Sequence, residues 1–498
     1  MRVIQLGFQL HAPYELRDSG GDTGDENPDY FASEKVFQQA NKEIYQPFFA
    51  LLERNTQKYK DLHFSLIVSG AWLEQAEKYD AMLIERLKKL VKMERVELVS
   101  VPYYYSLAFF YAQDECAEQV RKYQDQIERL FGVTGRIFAL PELIYNDAAG
   151  KWAEEFGFAG MLVGGSARAL DWRSPNHVYE AAGCEYLRLL VRNSHLSELI
   201  ERGDDSLLVE KKTEEGEARR VLSVEKFRKM LDLDFLRGGL VNLYFDVQVL
   251  AQQRERGVIG FFDELIATWL DGENQKFATA AEACMVETPT AELSIKETVS
   301  WRGDAEKSDD EQGAGLVLKR GIENKLPKWL GREDQVKLSE LVYGVRRQIL
   351  ASEDEKLSAD WRRLTLADYH KGVDSSMMAR VTAIVEDLKQ RAEEIKKTQA
   401  VEISRAYTKK RDRGDVERKV EPTEGDSSAV KVNFGKSAGT ASEAVHVQIQ
   451  TDEGLEVPVR RLGQREEVEA EEEVEVVPVV QKKKTHAVRK IIKKLVIE

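Results

Sequence analysis

Phe138-Ala-Leu-Pro-Glu-Leu-Ile-Tyr-Asn146 is the stretch on which the reading of this chain turns. A short apolar run, Ile137 to Leu140, ends in a proline, a carboxylate and an aromatic. A strand entering Pro141 must stop pairing there, because proline offers no N–H to a ladder. Glu142 therefore falls just past the strand's carboxyl end, where open and barrel α/β sheets keep their chemistry. An isolated glutamate in that position is more simply a solvated loop residue. A second carboxylate in a matching context shifts the weighing. Val241-Asn-Leu-Tyr-Phe-Asp246 is another strand-like run ending in an acid, and two such ends can face each other across a barrel mouth.

Outward from these two stretches, β-type runs alternate with helical ones. Residues 2–10, 63–70, 96–101, 137–140, 160–164, 186–191 and 241–245 read as strands. Between them, apolar residues recur at helical spacing, as in Val36, Ala40, Ile44, Phe48 and Leu51, with Pro47 predicting a kink or break. Seven β-units separated by helices indicate a parallel α/β architecture, and carboxylates at the strand ends favour a closed (β/α)7 barrel, taken as residues 1–255. From about 255 onward strands disappear and a helical domain, 256–411, is expected to pack on the barrel. Residues 412–498 change to charged, weakly periodic sequence, expected to be a disordered tail. The tail holds an acidic run at Glu466 to Glu475 and a basic amphipathic end at His486 to Glu498. That end suits a membrane surface or a partner protein, although a solvated tail explains it more simply.

The 498 residues are 42% hydrophobic with a net charge of −14. That is enough for a large core, and the charge sign argues against a nucleic-acid partner. The three cysteines, Cys116, Cys184 and Cys284, are far apart and form no CxxC. They suggest neither a disulfide framework nor a zinc knuckle, and they are compatible with a reducing cytoplasm. The seven histidines show no metal-ligand spacing, which disfavours a metal-dependent polysaccharide deacetylase. No stretch reaches the roughly 20 apolar residues of a membrane span. The opening Met1-Arg-Val-Ile-Gln-Leu-Gly-Phe is too short an apolar run for a signal peptide.

Several blocks, in order, resemble motifs of glycoside hydrolase family 57, in its α-amylase-like branch. Phe8-Gln-Leu-His11-Ala-Pro13 resembles its opening His-Gln-Pro motif, and Ser69-Gly-Ala-Trp72-Leu-Glu-Gln75 its second region. Tyr103-Tyr-Tyr-Ser-Leu-Ala108 resembles Tyr-Tyr-His-Ser-Leu-Ala, and Pro141-Glu-Leu-Ile-Tyr-Asn146 resembles the nucleophile region. Leu170-Asp-Trp172-Arg-Ser-Pro-Asn176 resembles Gly-Trp-Arg-Ser-Pro-Asn, and Asn242-Leu-Tyr-Phe-Asp246 the strand carrying the acid/base. Trp301 and Trp361-Arg-Arg-Leu resemble later helical-region motifs, read here as structural. Any single block is weak; their order makes the signal specific.

The resemblance implies a (β/α)7 barrel with a helical domain, acting on α-1,4-glucans with retention and without a metal or other cofactor. Glu142 would be the nucleophile and Asp246 the general acid/base, as in retaining glycosidases generally. His11 would hold the sugar at the scissile bond, and Trp72 and Trp172 would offer sugar-stacking faces. Tyr105 stands where the family has a substrate-site histidine. The departures are concentrated after Asp246. The family's Asp-Tyr-Glu-Thr-Phe-Gly-Glu-His appears as Asp246-Val-Gln248-Val-Leu-Ala-Gln252-Gln253. Loss of charged neighbours alters how an acid is oriented and tuned. Two readings therefore stay open: a hydrolase or transglycosylase, and a catalytically weakened homologue that binds glucan or serves as a scaffold.

Overall fold

A computed structural model of the chain describes residues 1–17, 28–166, 170–212, 218–289, 291–301 and 332–412, with two further short strands at 431–434 and 447–450. The chain divides into two compact units, Met1–Tyr407 and Thr408–Glu498. In the second, Lys431–Phe434 and Val447–Gln450 pair antiparallel. The expected disorder of the rest of that unit, and its basic amphipathic end, lie outside the described residues.

The first unit is built on seven parallel strands: β1 (Arg2–Leu10), β2 (Phe64–Val68), β3 (Val96–Val99), β4 (Ile137–Phe138), β5 (Gly160–Val163), β6 (Arg188–Val191) and β7 (Leu240–Asp246). Seven of seven strand expectations find a strand. Pairing runs β7–β1–β2–β3 in one arc and β4–β5–β6 in another. Two single parallel bridges, Ser100 with Phe138 and Arg192 with Asn242, join the arcs at both ends and close the ring. The register of β1 on β7 sets Gln9 beside Asp246. The strands are buried along nearly their whole length, as a parallel sheet covered by helices requires.

Strand ends lead into helices through side-chain caps. Ser69 accepts from the Trp72 N–H, Asn146 from Ala149, Asn193 from Leu196 and Asp246 from Gln248. Each supplies an oxygen to an otherwise orphaned N–H at a helix start. Where a kink or break was expected at Pro47 the chain stays helical: Glu34–Ala40 passes through one wide turn, Asn41–Tyr45, directly into Gln46–Lys58. Pro47 lies in the first turn of that last helix, where its missing N–H costs nothing.

Strands do not disappear after 255, as the sequence suggested. Gln275–Ala278 pairs parallel with the first half of β1, which β2 leaves open, since β2 pairs only with Gly7–Leu10. Glu292–Leu293 pairs with a peripheral strand, Val178–Ala181, which is antiparallel to β6. A hairpin, Leu208–Lys212 with Ala218–Leu222, was also not read from the sequence. These pieces are two to five residues long, too short to carry an alternation. Helices Glu333–Gly344, Arg346–Leu350, Glu355–Leu364 and Ser375–Asp412 then follow. Among the described residues no helix is long and apolar enough to cross a membrane. The helical region reaches the barrel through Ala367, whose N–H donates to the Tyr105 carbonyl at 3.0 Å.

Candidate active site

Glu142 sits in the turn Pro141–Leu143 that follows β4, with φ 57° and ψ 26°, and Leu143 also has a positive φ of 49°. Two consecutive left-handed residues with side chains are strained, and such strain persists only where the surroundings fix it. Here they do. The Glu142 N–H donates to the Tyr105 hydroxyl at 2.9 Å, and the Glu142 carbonyl accepts from the Trp301 N–H at 3.0 Å. The carboxylate is wholly buried. Its Oε2 accepts from the indole Nε1 of Trp301 at 2.5 Å, and the Lys371 ammonium lies 2.6 Å from Oε1.

Tyr105 links this carboxylate to the opposite side of the rim. Its hydroxyl donates to Gln9 Oε1 at 2.7 Å, and Gln9 is the residue paired with Asp246 across β1 and β7. The ring stacks on His11, with centroids 4.3 Å apart. Burial raises the Tyr105 phenol well above its ordinary range, and the negative charges of Glu142, Asp368 and Asp246 push the same way.

His11, at the end of β1, is held at both ring nitrogens. Nδ1 is 2.7 Å from Ser69 Oγ and Nε2 is 2.7 Å from Asp368 Oδ2. Asp368 Oδ1 also pairs with Lys371 at 2.9 Å. Burial pushes the Asp368 carboxyl up, but Lys371 and then His11 outweigh it and hold it well below the usual carboxylate range. The result is a chain of alternating charge and hydrogen bonding, Glu142–Lys371–Asp368–His11–Ser69.

Asp246, 9% exposed, ends β7. Its Oδ1 caps the next helix through the Gln248 N–H at 2.8 Å. Behind it, Glu201 Oε2 pairs with Arg192 at 2.7 Å, and the Arg192 guanidinium lies 4.9 Å from the Trp301 ring centre. Burial raises the Glu201 carboxyl; Arg192 opposes that and Asp246 reinforces it. Of the altered positions, Gln248 Nε2 donates to the His11 carbonyl at 2.8 Å and Gln253 Nε2 to the Glu201 carbonyl at 2.8 Å. Gln252 is exposed.

The structure thus brings Glu142, Tyr105 and His11 into one hydrogen-bonded cluster, with Asp246 in register beside it. Trp72 must be corrected. It has no exposed surface and packs among Phe37, Tyr45 and Phe49, with ring centres 6.5, 5.6 and 6.1 Å away. Packed against the rings of Glu34–Lys58 and wholly buried, it offers no face to a sugar. Trp172 is the reverse, 79% exposed, with the Arg173 guanidinium 5.3 Å from its ring centre. Glu74, in the same block as Trp72, is a partly buried acceptor for Tyr14, Tyr104, Lys122 and Arg363. Trp301, read as structural, holds the Glu142 carboxylate. Lys371 and Asp368 gave no sequence signal. Arg192 did, since it is a charge directly after β6, the same strand-end position as Asp246.

A family model described as glycosyl hydrolase family 57 matches residues 6–295. A protein of Methanocaldococcus jannaschii named "Putative alpha-amylase" is 25% identical over 308 residues, 60% of this chain and 63% of that protein. This chain therefore spans under two thirds of that relative's length. Among solved structures, a 4-alpha-glucanotransferase from Thermococcus litoralis superposes with a TM-score of 0.54 at 15% identity, over 74% of this chain and 56% of that one. An alpha-amylase from Thermotoga maritima gives 0.52 at 10% identity, over 80% of this chain and 94% of that one. At such identities the superpositions speak to the fold: barrel followed by helices. With its family match covering more than half its length, this chain belongs to glycosyl hydrolase family 57.

Proposed function

We propose that the protein acts on α-1,4-glucans as a retaining hydrolase or glucanotransferase, with Glu142 as nucleophile and Asp246 as general acid/base. In the first step a Glu142 oxygen bonds to the anomeric carbon, the glycosidic C–O bond breaks, and Asp246 gives its proton to the departing oxygen. In the second, Asp246 takes a proton from water or an acceptor hydroxyl, which bonds to the anomeric carbon and frees Glu142. The observation that carries this reading is the link from the Glu142 N–H through Tyr105 to Gln9, the strand partner of Asp246. Acids on distant strands are tied to one rim by it. His11, fixed by Ser69 and Asp368, is suited to orienting sugar hydroxyls. A reducing, cytoplasmic compartment suits the three free thiols. Incubation with maltoheptaose tests the reading: NMR should show the α-anomer as the first product, Glu142→Gln should abolish turnover, and Asp246→Asn should cut it by about 10²- to 10⁴-fold.

A second reading, glucan binding without turnover, is favoured by one observation. Glu142 has no exposed surface and both oxygens are engaged. Maltoheptaose that binds the wild-type protein and is recovered intact would replace the first reading with this one.

A further inference from the structure

Lys371 has no part in the two-carboxylate chemistry above, yet it touches the centre of it. Trp301 engages Oε2 of Glu142 and the Lys371 ammonium lies 2.6 Å from Oε1. The indole is buried and the Trp301 backbone N–H also donates to the Glu142 carbonyl, so of the two partners Lys371 is the one that can yield to a sugar. A carbon poised for attack stands about 3–3.5 Å from its nucleophile. An ammonium and an anomeric carbon therefore claim the same volume.

The backbone that carries Lys371 is fastened on every side. Ala367 donates to the Tyr105 carbonyl, and the Tyr369 hydroxyl to the Tyr14 carbonyl at 2.7 Å. Asp368 is held by His11, and His370 by Ser339 at 2.7 Å. The Lys371 side chain is different: it is 26% exposed, on a flexible four-carbon stem, with Asp368 as a second anchor. Released from Glu142, the ammonium keeps its pairing with Asp368 and is not left alone. The moving part is a single side chain.

We propose that Lys371 is a resident occupant of the subsite for the sugar being cleaved. Its ammonium stands where the anomeric carbon must come, so a ligand enters by replacing that positive charge. The site is thereby selective for rings with positive character at that point. The inference rests on Glu142 being the sugar-facing carboxylate.

The probe is a protonated, glucose-configured iminosugar, whose ring nitrogen is the cation that would take the lysine's place. By calorimetry, Lys371→Met should bind it roughly tenfold or more tightly than wild type, and Lys371→Met/Glu142→Gln should lose that gain. Equal or weaker binding by Lys371→Met overturns the proposal, as does a gain that survives in the double variant. Should Lys371→Met not fold, the wild-type protein decides by acetylation with an amine-reactive ester, followed at the Lys371 peptide. Acetylation should speed up several-fold with the iminosugar bound; an unchanged or slower rate overturns the proposal. An affinity gain without sugar turnover in any form removes the hydrolase reading and leaves Lys371 as occupant.

Discussion

Acid should weaken this fold through His370, and the size of the effect follows from its surroundings. His370 is buried, one residue from Lys371, with Nδ1 facing the Leu366 carbonyl at 3.3 Å and Nε2 2.7 Å from Ser339 Oγ. A carbonyl only accepts, so Nδ1 carries the proton and Nε2 accepts from the serine hydroxyl. Burial lowers the imidazole from its ordinary 6.5 to about 4; the Leu366 carbonyl and Asp368 oppose this only in part. With the folded pKa depressed, the unfolded chain binds the extra proton first. Stability from this group is complete above the unfolded value and is lost as pH falls from about 6.5 to about 4. The full span corresponds to about 3 kcal/mol, and the drop from pH 7 to pH 5 to about 2 kcal/mol. Urea unfolding of wild type and His370→Gln at those two pH values measures it. The variant should lose about 2 kcal/mol less than wild type over the interval. Equal losses in the two proteins would refute the reasoning, because the remaining titrating groups are common to both.

Three further outcomes are expected. Asp246→Asn should cut turnover of glucan by about 10²- to 10⁴-fold, yet spare the first step on an aryl glucoside whose leaving group needs no proton; an equal loss on both substrates would show a structural role. Trp72→Ala should destabilise by about 3–5 kcal/mol in urea unfolding, while Trp172→Ala, at an exposed site, should stay within about 0.5 kcal/mol; the reverse order would contradict their burial. Gly70→Ala should destabilise by about 1–3 kcal/mol, because a Cβ there would lie 2.4 Å from the Tyr103 ring; a midpoint equal to wild type would show that the ring shifts freely.

Seven barrel strands and both carboxylates were legible because they rest on local patterns. A buried parallel strand is a continuous apolar run, and its carboxyl end is marked by the first polar residue. A closed ring was favoured from the acids at the strand ends, but the contacts that close it were not legible: they are two single bridges, at Ser100 and Arg192, that no local pattern encodes. The short strands Gln275–Ala278 and Glu292–Leu293 form because neighbours leave an edge open, and an open edge is a property of the assembled sheet. Trp72 misled for a related reason. Its position after the Ser69 cap fixes the helix start, but the face it presents is set by Phe37, Tyr45 and Phe49 on another helix. Lys371 and Asp368 lie more than 220 residues from Glu142, and helical spacing names a face without naming what that face meets.

The altered positions after Asp246 look different once their partners are known. In sequence, Gln248 and Gln253, standing in place of an acid and a histidine, read as a loss of charge around Asp246. In the structure both amides donate to backbone carbonyls, those of His11 and Glu201. At Gln248 an ionised carboxylate, which accepts only, would set two acceptors against each other. Gln248 therefore makes a bond that the acid could not. Charge near Asp246 comes instead from Glu201, whose Oε1 faces the Asp246 N–H at 3.5 Å and whose other oxygen is neutralised by Arg192. Burial raises the Glu201 carboxyl, Arg192 opposes that rise and Asp246 adds to it. Gln248, Gln253, Glu201 and Arg192 are thus all bonded into the neighbourhood of Asp246, and motif comparison alone counts only what is missing.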